Sequence, residues 1–243
     1  MLKYTPERKT SEEERFQGDY FSYFEAPTNA TRYTPTTSFL DIAFQESFSL
    51  LDLGCGNGAL SKYLPARCDY LGVDHSESAI KYCLKQHSNR KFLAKDLSTS
   101  LLELAAENKK FDAVVMAGLL FHSTNKETLE QKDDQEIIQC CLDKILSDRG
   151  YLVIIVPFCY GDHPSHNLFI RAQWLQEFVE NMLAIAKAKI IHENISLQIG
   201  LDKAVRQQKM IPDWFVSDNY ADYPSIFVGT YMASWTFIAS PES

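Results

Sequence analysis

The residues that could do chemistry begin at Asp52. It opens the run Asp52-Leu53-Gly54-Cys55-Gly56-Asn57-Gly58-Ala59, and a second acid, Asp74, follows twenty residues after Gly54. Glycines at 54, 56 and 58 allow a tight turn and let a ligand approach bare backbone. An acid at the end of the following strand can accept hydrogen bonds from a ribose diol. Together the loop and the acid favour an adenosine-type ligand over a purely structural turn. Taken alone, Asp74 could instead cap a helix starting near Ser76.

Further candidates lie downstream. His122 follows Gly118-Leu119-Leu120-Phe121. It reads either as a general base, being neutral and basic near physiological pH, or as a hydrogen-bonded histidine beside the ligand. The run 158–167 holds Asp162, His163 and His166, the densest acid/base cluster of the chain. His163 or His166 could orient or deprotonate a substrate, and a solvated loop leading into a helix is the competing reading. No third well-spaced ligand accompanies them, so no metal site is expected. Tyr20, Tyr23 and Tyr33 near the start, and Trp214 and Phe215 far downstream, could roof an apolar pocket and exclude water. They could equally form an extra core patch.

These residues need a frame. From residue 49 onward, short apolar runs alternate with helical patterns. Strands are expected at 50–53, 70–74, 91–95, 111–116, 151–156, 190–198 and 227–239. Helices are expected at 59–64, 76–86, 133–146 and 167–187. This rhythm predicts a doubly wound, mostly parallel sheet with helices on both faces. Ligands of such sheets bind beyond the carboxyl ends of the strands. Residues 1–47 are polar and aromatic, broken by Pro6, Pro27 and Pro35. They are expected to form an N-terminal helical lid or cap, with 48–243 as the main domain and a substrate-loop insertion near 200–226.

Gly54-x-Gly56-x-x-Ala59 also fits a dinucleotide fingerprint when read loosely. Asp52 argues against it, because a carboxylate there repels a pyrophosphate and attracts an ammonium group. The glycines are also spaced one residue too tightly. The first strand comes only after a long N-terminal segment, and the sheet closes with a terminal strand after a loop.

Here the chain resembles the class I S-adenosylmethionine (SAM)-dependent methyltransferases. Their first motif is an acid, an apolar residue, then glycines at alternate positions, and 52–58 matches it position by position. The resemblance covers 49 to about 160 well and the remainder weakly. It implies a seven-stranded sheet of order 3-2-1-4-5-7-6 with the last strand antiparallel. It implies that Asp52 helps hold the methionine ammonium of SAM, in part through water. The backbone of Gly54, Cys55 and Gly56 would pass close to the cofactor. Asp74 would bind the ribose hydroxyls, with His75 beside it. Asp96 would face the adenine amino group, with the Leu97 amide nearby. Ala117, in Met116-Ala117-Gly118, would border the methionine portion.

Composition narrows the substrate. The chain has 243 residues, 24 Lys and Arg against 32 Asp and Glu, and a net charge of −8. That balance suits a soluble globular protein and lacks the basic face that nucleic-acid phosphates require. The segment after the fourth strand lacks the Asn/Asp-Pro-Pro-aromatic pattern of enzymes that methylate planar amino groups. The expected activity is methyl transfer to an oxygen or nitrogen of a small-molecule metabolite. A non-methylating SAM-binding protein and an NAD-dependent oxidoreductase are the alternatives. The longest apolar run, 151–158, is far short of the roughly 20 residues that span a bilayer. Six cysteines without a CxxC spacing suit a reducing compartment, and the expected location is cytoplasmic.

Overall fold

A computed structural model describes residues 32–119, 129–159, 170–197 and 233–241. Five strands pair in parallel in the order β3-β2-β1-β4-β5. They are β1 (Phe48–Leu53), β2 (Cys68–Asp74), β3 (Lys91–Ala94), β4 (Phe111–Ala117) and β5 (Leu146–Cys159). β8 (Ala233–Pro241) is antiparallel to β5 and to β7 (Ala188–Leu197). The expected order 3-2-1-4-5-7-6 is therefore present. A two-residue strand, β6 (Ile170–Arg171), is added beside the end of β5.

Strand alternation gives the sheet two apolar faces, and helices cover both. On one face Leu51, Leu53, Val114, Met116, Leu152 and Ile154 are buried in one core. Leu101 of α3 (Leu97–Ala106), Ile138 of α4 (Leu129–Cys140) and Leu183 of α5 (Ala172–Ile185) join that core. On the other face Leu50, Tyr70, Val115, Val153 and Ile155 are buried with Leu40 of α1 (Thr34–Ala43). Full burial of each such side chain stabilises by about 1.5–3 kcal/mol. The covered faces therefore outweigh any single surface ion pair of about 0–1 kcal/mol. Arg67 holds the end of α1 against the loop before β2, donating to the carbonyl of Phe44 and to Asp41.

Several boundaries differ from the expected ones. The expected helix 59–64 is a 3-10 helix, Ala59–Tyr63. Leu64 is extended because it precedes Pro65, whose ring disfavours the helical region for its neighbour. Residues 76–86 form α2 (Glu77–Gln86), and Ser76 caps it by accepting from the Ala79 amide at 3.1 Å. α3 was not expected at all. Its apolar positions 97, 101 and 104 do recur at helical spacing, and Asp96 caps it. The expected helix 133–146 starts earlier, as α4, and ends in one π-helical turn, Cys141–Ile145. β5 starts five residues before the expected 151. Its register against β4 shifts between Phe111 and Ala113, and regular pairing resumes at Tyr151. The expected helix 167–187 is α5 alone, shorter at both ends, and residues 160–169 lie outside the described residues. The last strand is described from Ala233 rather than from 227.

Much of the expected lid falls outside the described residues: 1–31, and 198–232 with the insertion near 200–226. Residues 34–43 pack on the sheet as α1. Among the described residues, no helix is long and apolar enough to cross a membrane.

Candidate functional site

The carboxyl ends of β1, β2, β3 and β4 form one rim, and most of the expected cofactor residues lie on it. The glycine loop leaves β1 with Gly54, Gly56 and Gly58 at φ +70°, +52° and +70°. A side chain is strained in that left-handed region. The loop is pinned to β2, since the amides of Gly54 and Cys55 donate to the Val73 carbonyl at 2.8 and 3.1 Å. It also lies close over its neighbours. A Cβ at Gly58 would stand 2.9 Å from the Phe92 ring and 3.1 Å from Cys83 Sγ. At Gly54, a Cβ would stand 2.9 Å from Leu119 Cδ1.

Asp74 ends β2 and is 7% exposed. One carboxylate oxygen accepts from the Gly56 amide at 2.8 Å, and the other from the Ser76 amide at 2.9 Å. Ser76 is the N-cap of α2, and Asp74 supports that helix start by accepting from the Ser76 amide. His75 Nδ1 lies 3.6 Å from Asp74 Oδ1.

Asp96 is half-buried and caps α3, accepting from the Thr99 amide at 3.2 Å. The Lys95 amide donates to the Asp74 carbonyl at 2.8 Å, so Asp96 follows on the rim directly beside Asp74. Leu97 turns its side chain into the core, and at 7% exposure only its backbone is suited to a ligand. As the first residue of α3 it carries one of the amides that a helix start leaves without an intrahelical acceptor. Ala117 ends β4 half-buried, and Gly118 after it takes φ +68°.

Asp52 is 2% exposed and sits below the loop on the α1 face. It accepts one hydrogen bond, from the Tyr70 hydroxyl at 2.7 Å. Burial pushes its carboxyl up to about 7; Tyr70 opposes this, Asp74 adds to it, and Arg32 opposes it. Cys55 is buried under the loop, and burial raises its thiol well above the ordinary range. Its backbone, not its sulfur, faces the ligand side.

Sequence reasoning missed Arg32 and Tyr70. Arg32 is 6% exposed, and its guanidinium lies 5.1 Å from the Tyr33 ring centre. It stands 3.3 Å from where a Cβ of Gly118 would be. Its charge acts on Asp52 as the smallest of the influences on that acid, favouring the ionised form. Nothing in the N-terminal sequence distinguishes Arg32 from the other basic residues there. Tyr70 had a signal, being two residues before Gly72 on the strand paired with that of Asp52.

Tyr33 is 6% exposed and packs in the α1-side core, its ring 6.1 Å from that of Tyr63. Tyr20, Tyr23, His122, His163, His166, Trp214 and Phe215 lie outside the described residues. Among the described residues, no three His, Cys, Asp or Glu side chains gather to hold a metal ion.

The rim suits SAM on its own chemistry. Three carboxylates there oppose a pyrophosphate. The glycine loop turns without side chains at 54, 56 and 58, and the Gly56 amide ties it to Asp74.

A family model described as a methyltransferase domain matches residues 50–132. No curated protein is a significant match to the chain in sequence. Among solved structures, the chain is similar to a magnesium protoporphyrin IX methyltransferase from Synechocystis PCC 6803 with bound SAM. Identity is 13% and the TM-score 0.61, covering 99% of this chain and 100% of that one. It is also similar to an S-adenosylmethionine-dependent methyltransferase from Clostridium acetobutylicum, at 12% identity and TM-score 0.54, covering 93% and 98%. A third, a SAM-dependent methyltransferase from Geobacter sulfurreducens with S-adenosyl-L-homocysteine (SAH), matches at 15% identity and TM-score 0.52, covering 87% and 90%. At these identities the structures speak for the fold, and the family match speaks for the domain that carries the loop and its acids. Residues 50–132 thus match a methyltransferase domain, and the fold of the chain is similar to that of solved SAM-dependent methyltransferases.

Proposed function

We propose that the protein transfers a methyl group from SAM to an oxygen or nitrogen of a small-molecule metabolite. The observation that carries the cofactor part is Asp74, a nearly buried carboxylate at the end of β2 that accepts from the Gly56 amide of the glycine loop and from the Ser76 amide. In this reading Asp74 binds the ribose diol, with His75 beside it. Asp96 and the Leu97 amide read the adenine edge. The Gly54–Gly56 backbone and Ala117 flank the methionine portion. Asp52 takes the ammonium, in part through water, and Arg32 takes the carboxylate. When bound, SAM supplies an electrophilic methyl on a sulfonium. The chain's task is then to align an acceptor in line with it, exclude water, and remove a proton where the acceptor carries one.

β5 ends at Cys159 on the same rim, and the chain continues towards His163 and His166. We assign these, with His122, as candidates for orienting or deprotonating the acceptor. Tyr20, Tyr23, Tyr33, Trp214 and Phe215 are proposed to close over it. The net charge of −8 favours a metabolite over a nucleic acid. The free cysteines 55, 68, 83, 140 and 141 suit a cytoplasmic setting.

The test is calorimetric titration with SAM, SAH and NAD, repeated on Asp74→Ala. Binding of the two adenosyl ligands but not NAD is expected, weakened roughly 10–100-fold by the substitution, the worth of hydrogen bonds to a charged group. Selective NAD binding would overturn the reading. Labelled methyl from SAM, offered to a metabolite pool, then identifies the acceptor. Label appearing only in protein or nucleic acid would refute the small-molecule assignment.

A further inference from the structure

β1 and β2 run parallel with Leu50 opposite Tyr70 and Asp52 opposite Gly72. These four positions share the α1 face of the sheet. Tyr70 is 1% exposed, and its ring runs along that face towards the rim until the hydroxyl meets Asp52 at 2.7 Å. Gly72 makes the passage possible. A Cβ there would stand 2.8 Å from the Tyr70 hydroxyl, 2.8 Å from the Phe92 ring and 2.9 Å from Cys55 Sγ. Among the described residues, the Tyr70 phenol is the sole hydrogen-bond donor to Asp52.

Among the described residues, few other charged or titratable groups face Asp52. β2 brings Asp74, and the chain entering α1 brings Arg32 and Tyr33. The glycine loop brings Cys55. β4, on the other side, brings Val115 opposite Asp52 and no titratable group. Of these, Arg32 and the Tyr70 phenol favour the ionised acid, while burial and Asp74 favour the neutral one. Of these two, the Tyr70 phenol has the larger effect. Its own proton is secure, since burial and Asp52 raise the phenol well above its ordinary range.

We propose that Tyr70 is a positioning residue for cofactor binding: its hydroxyl holds the Asp52 carboxylate ionised and fixed in direction, so that an ammonium-bearing ligand binds only when this buried acid has lost its proton. The proposal rests on the reading that Asp52 meets the ammonium. It adds that the rim is proton-gated and that a side chain which does not touch the ligand sets the gate. Asp52, held near 7, sits where a small change in its partners decides its charge at neutral pH.

The experiment titrates SAH into the full chain at about pH 5.5, 7 and 8.5, for wild type, Tyr70→Phe and Asp52→Asn. Phenylalanine keeps the ring and its packing, and thermal unfolding checks that it does. Wild-type affinity is expected to rise through neutral pH. Tyr70→Phe is expected to bind about fivefold more weakly at neutral pH if it raises the acid by about one unit, and the gap narrows towards pH 8.5. The ratio of the two proteins cancels the ligand's own titration. Asp52→Asn is expected to bind weakly with little pH dependence. A Tyr70→Phe curve that runs parallel to wild type, or coincides with it, overturns the role of Tyr70 while leaving the cofactor site standing. A wild type that binds no SAH at any pH overturns the site and the gate together. If Tyr70→Phe does not fold, full pH dependence in Asp52→Asn overturns the gate.

Discussion

Asp112 and Asp52 lie on neighbouring strands of one sheet, at opposite rims. Asp112, near the start of β4, is well supplied with donors. It accepts from the Ser49 amide at 2.8 Å, the Ser49 hydroxyl at 2.9 Å and the Ser147 hydroxyl at 3.3 Å. Its own amide donates back to the Ser49 hydroxyl at 3.1 Å. One acid thereby ties β1, β4 and β5 together. Asp52, near the end of β1, has the Tyr70 phenol and is nearly sealed from water. A carboxylate whose acceptor sites are filled by its own chain works for the fold. One that is buried and short of donors is costly to ionise, and a cationic ligand group lowers that cost. The same residue type thus serves register at one rim and, in the function proposed above, recognition at the other.

The largest expected effect breaks the structural side of this comparison. Asp112→Ala strands an amide and two hydroxyls, and is expected to lower stability by about 2–4 kcal/mol in urea unfolding, with SAH affinity unchanged. Weakened binding at intact stability would erase the distinction between the rims. Next comes Asp52→Asn, which keeps an acceptor for Tyr70 but removes a buried charge. The folded value of about 7 lies above the ordinary 3.8. Between those values the folded chain holds a proton that the unfolded chain has lost. Asp52 therefore costs stability progressively as pH rises from about 4 to about 7, and the cost levels off above. Asp52→Asn is expected to be more stable than wild type by about 1–2 kcal/mol at about pH 8, and to lose that slope. Urea midpoints across the range read it directly, and an unchanged slope would assign the pH dependence elsewhere. The smallest effect sharpens the account of Asp112. Ser147→Ala removes only its longest hydrogen bond and is expected to cost about 0.5–1 kcal/mol, without touching ligand affinity.

Much of this was legible in the chain. The apolar runs marked β1, β4 and β5 most plainly, because a strand buried on both faces must be apolar along its length. The glycine spacing marked the loop, since three alternate positions with positive φ tolerate little else. Asp74 was readable from its distance to the loop. α3 carries its helical period in only three apolar positions, 97, 101 and 104, with the polar stretch Ser98-Thr99-Ser100 between the first two. The start of β5 was misplaced because Asp148-Arg149-Gly150 looks like a turn, and it is where the register shifts.

Other features had no local signal. Arg32 is twenty residues from Asp52 in sequence, and only the fold of α1 across the sheet brings its charge beside that acid. The pairing of Asp52 with Gly72 likewise depends on how two strands align. Local sequence decided what each segment becomes, through periodicity, caps and glycines, because those preferences act within a few residues. It also supplied the acids and the loop that name the cofactor. The tertiary structure alone decided which acid is satisfied and which is left wanting, because burial and hydrogen-bond partners come from chain segments far apart. The charge state of Asp52 belongs to that second kind of fact.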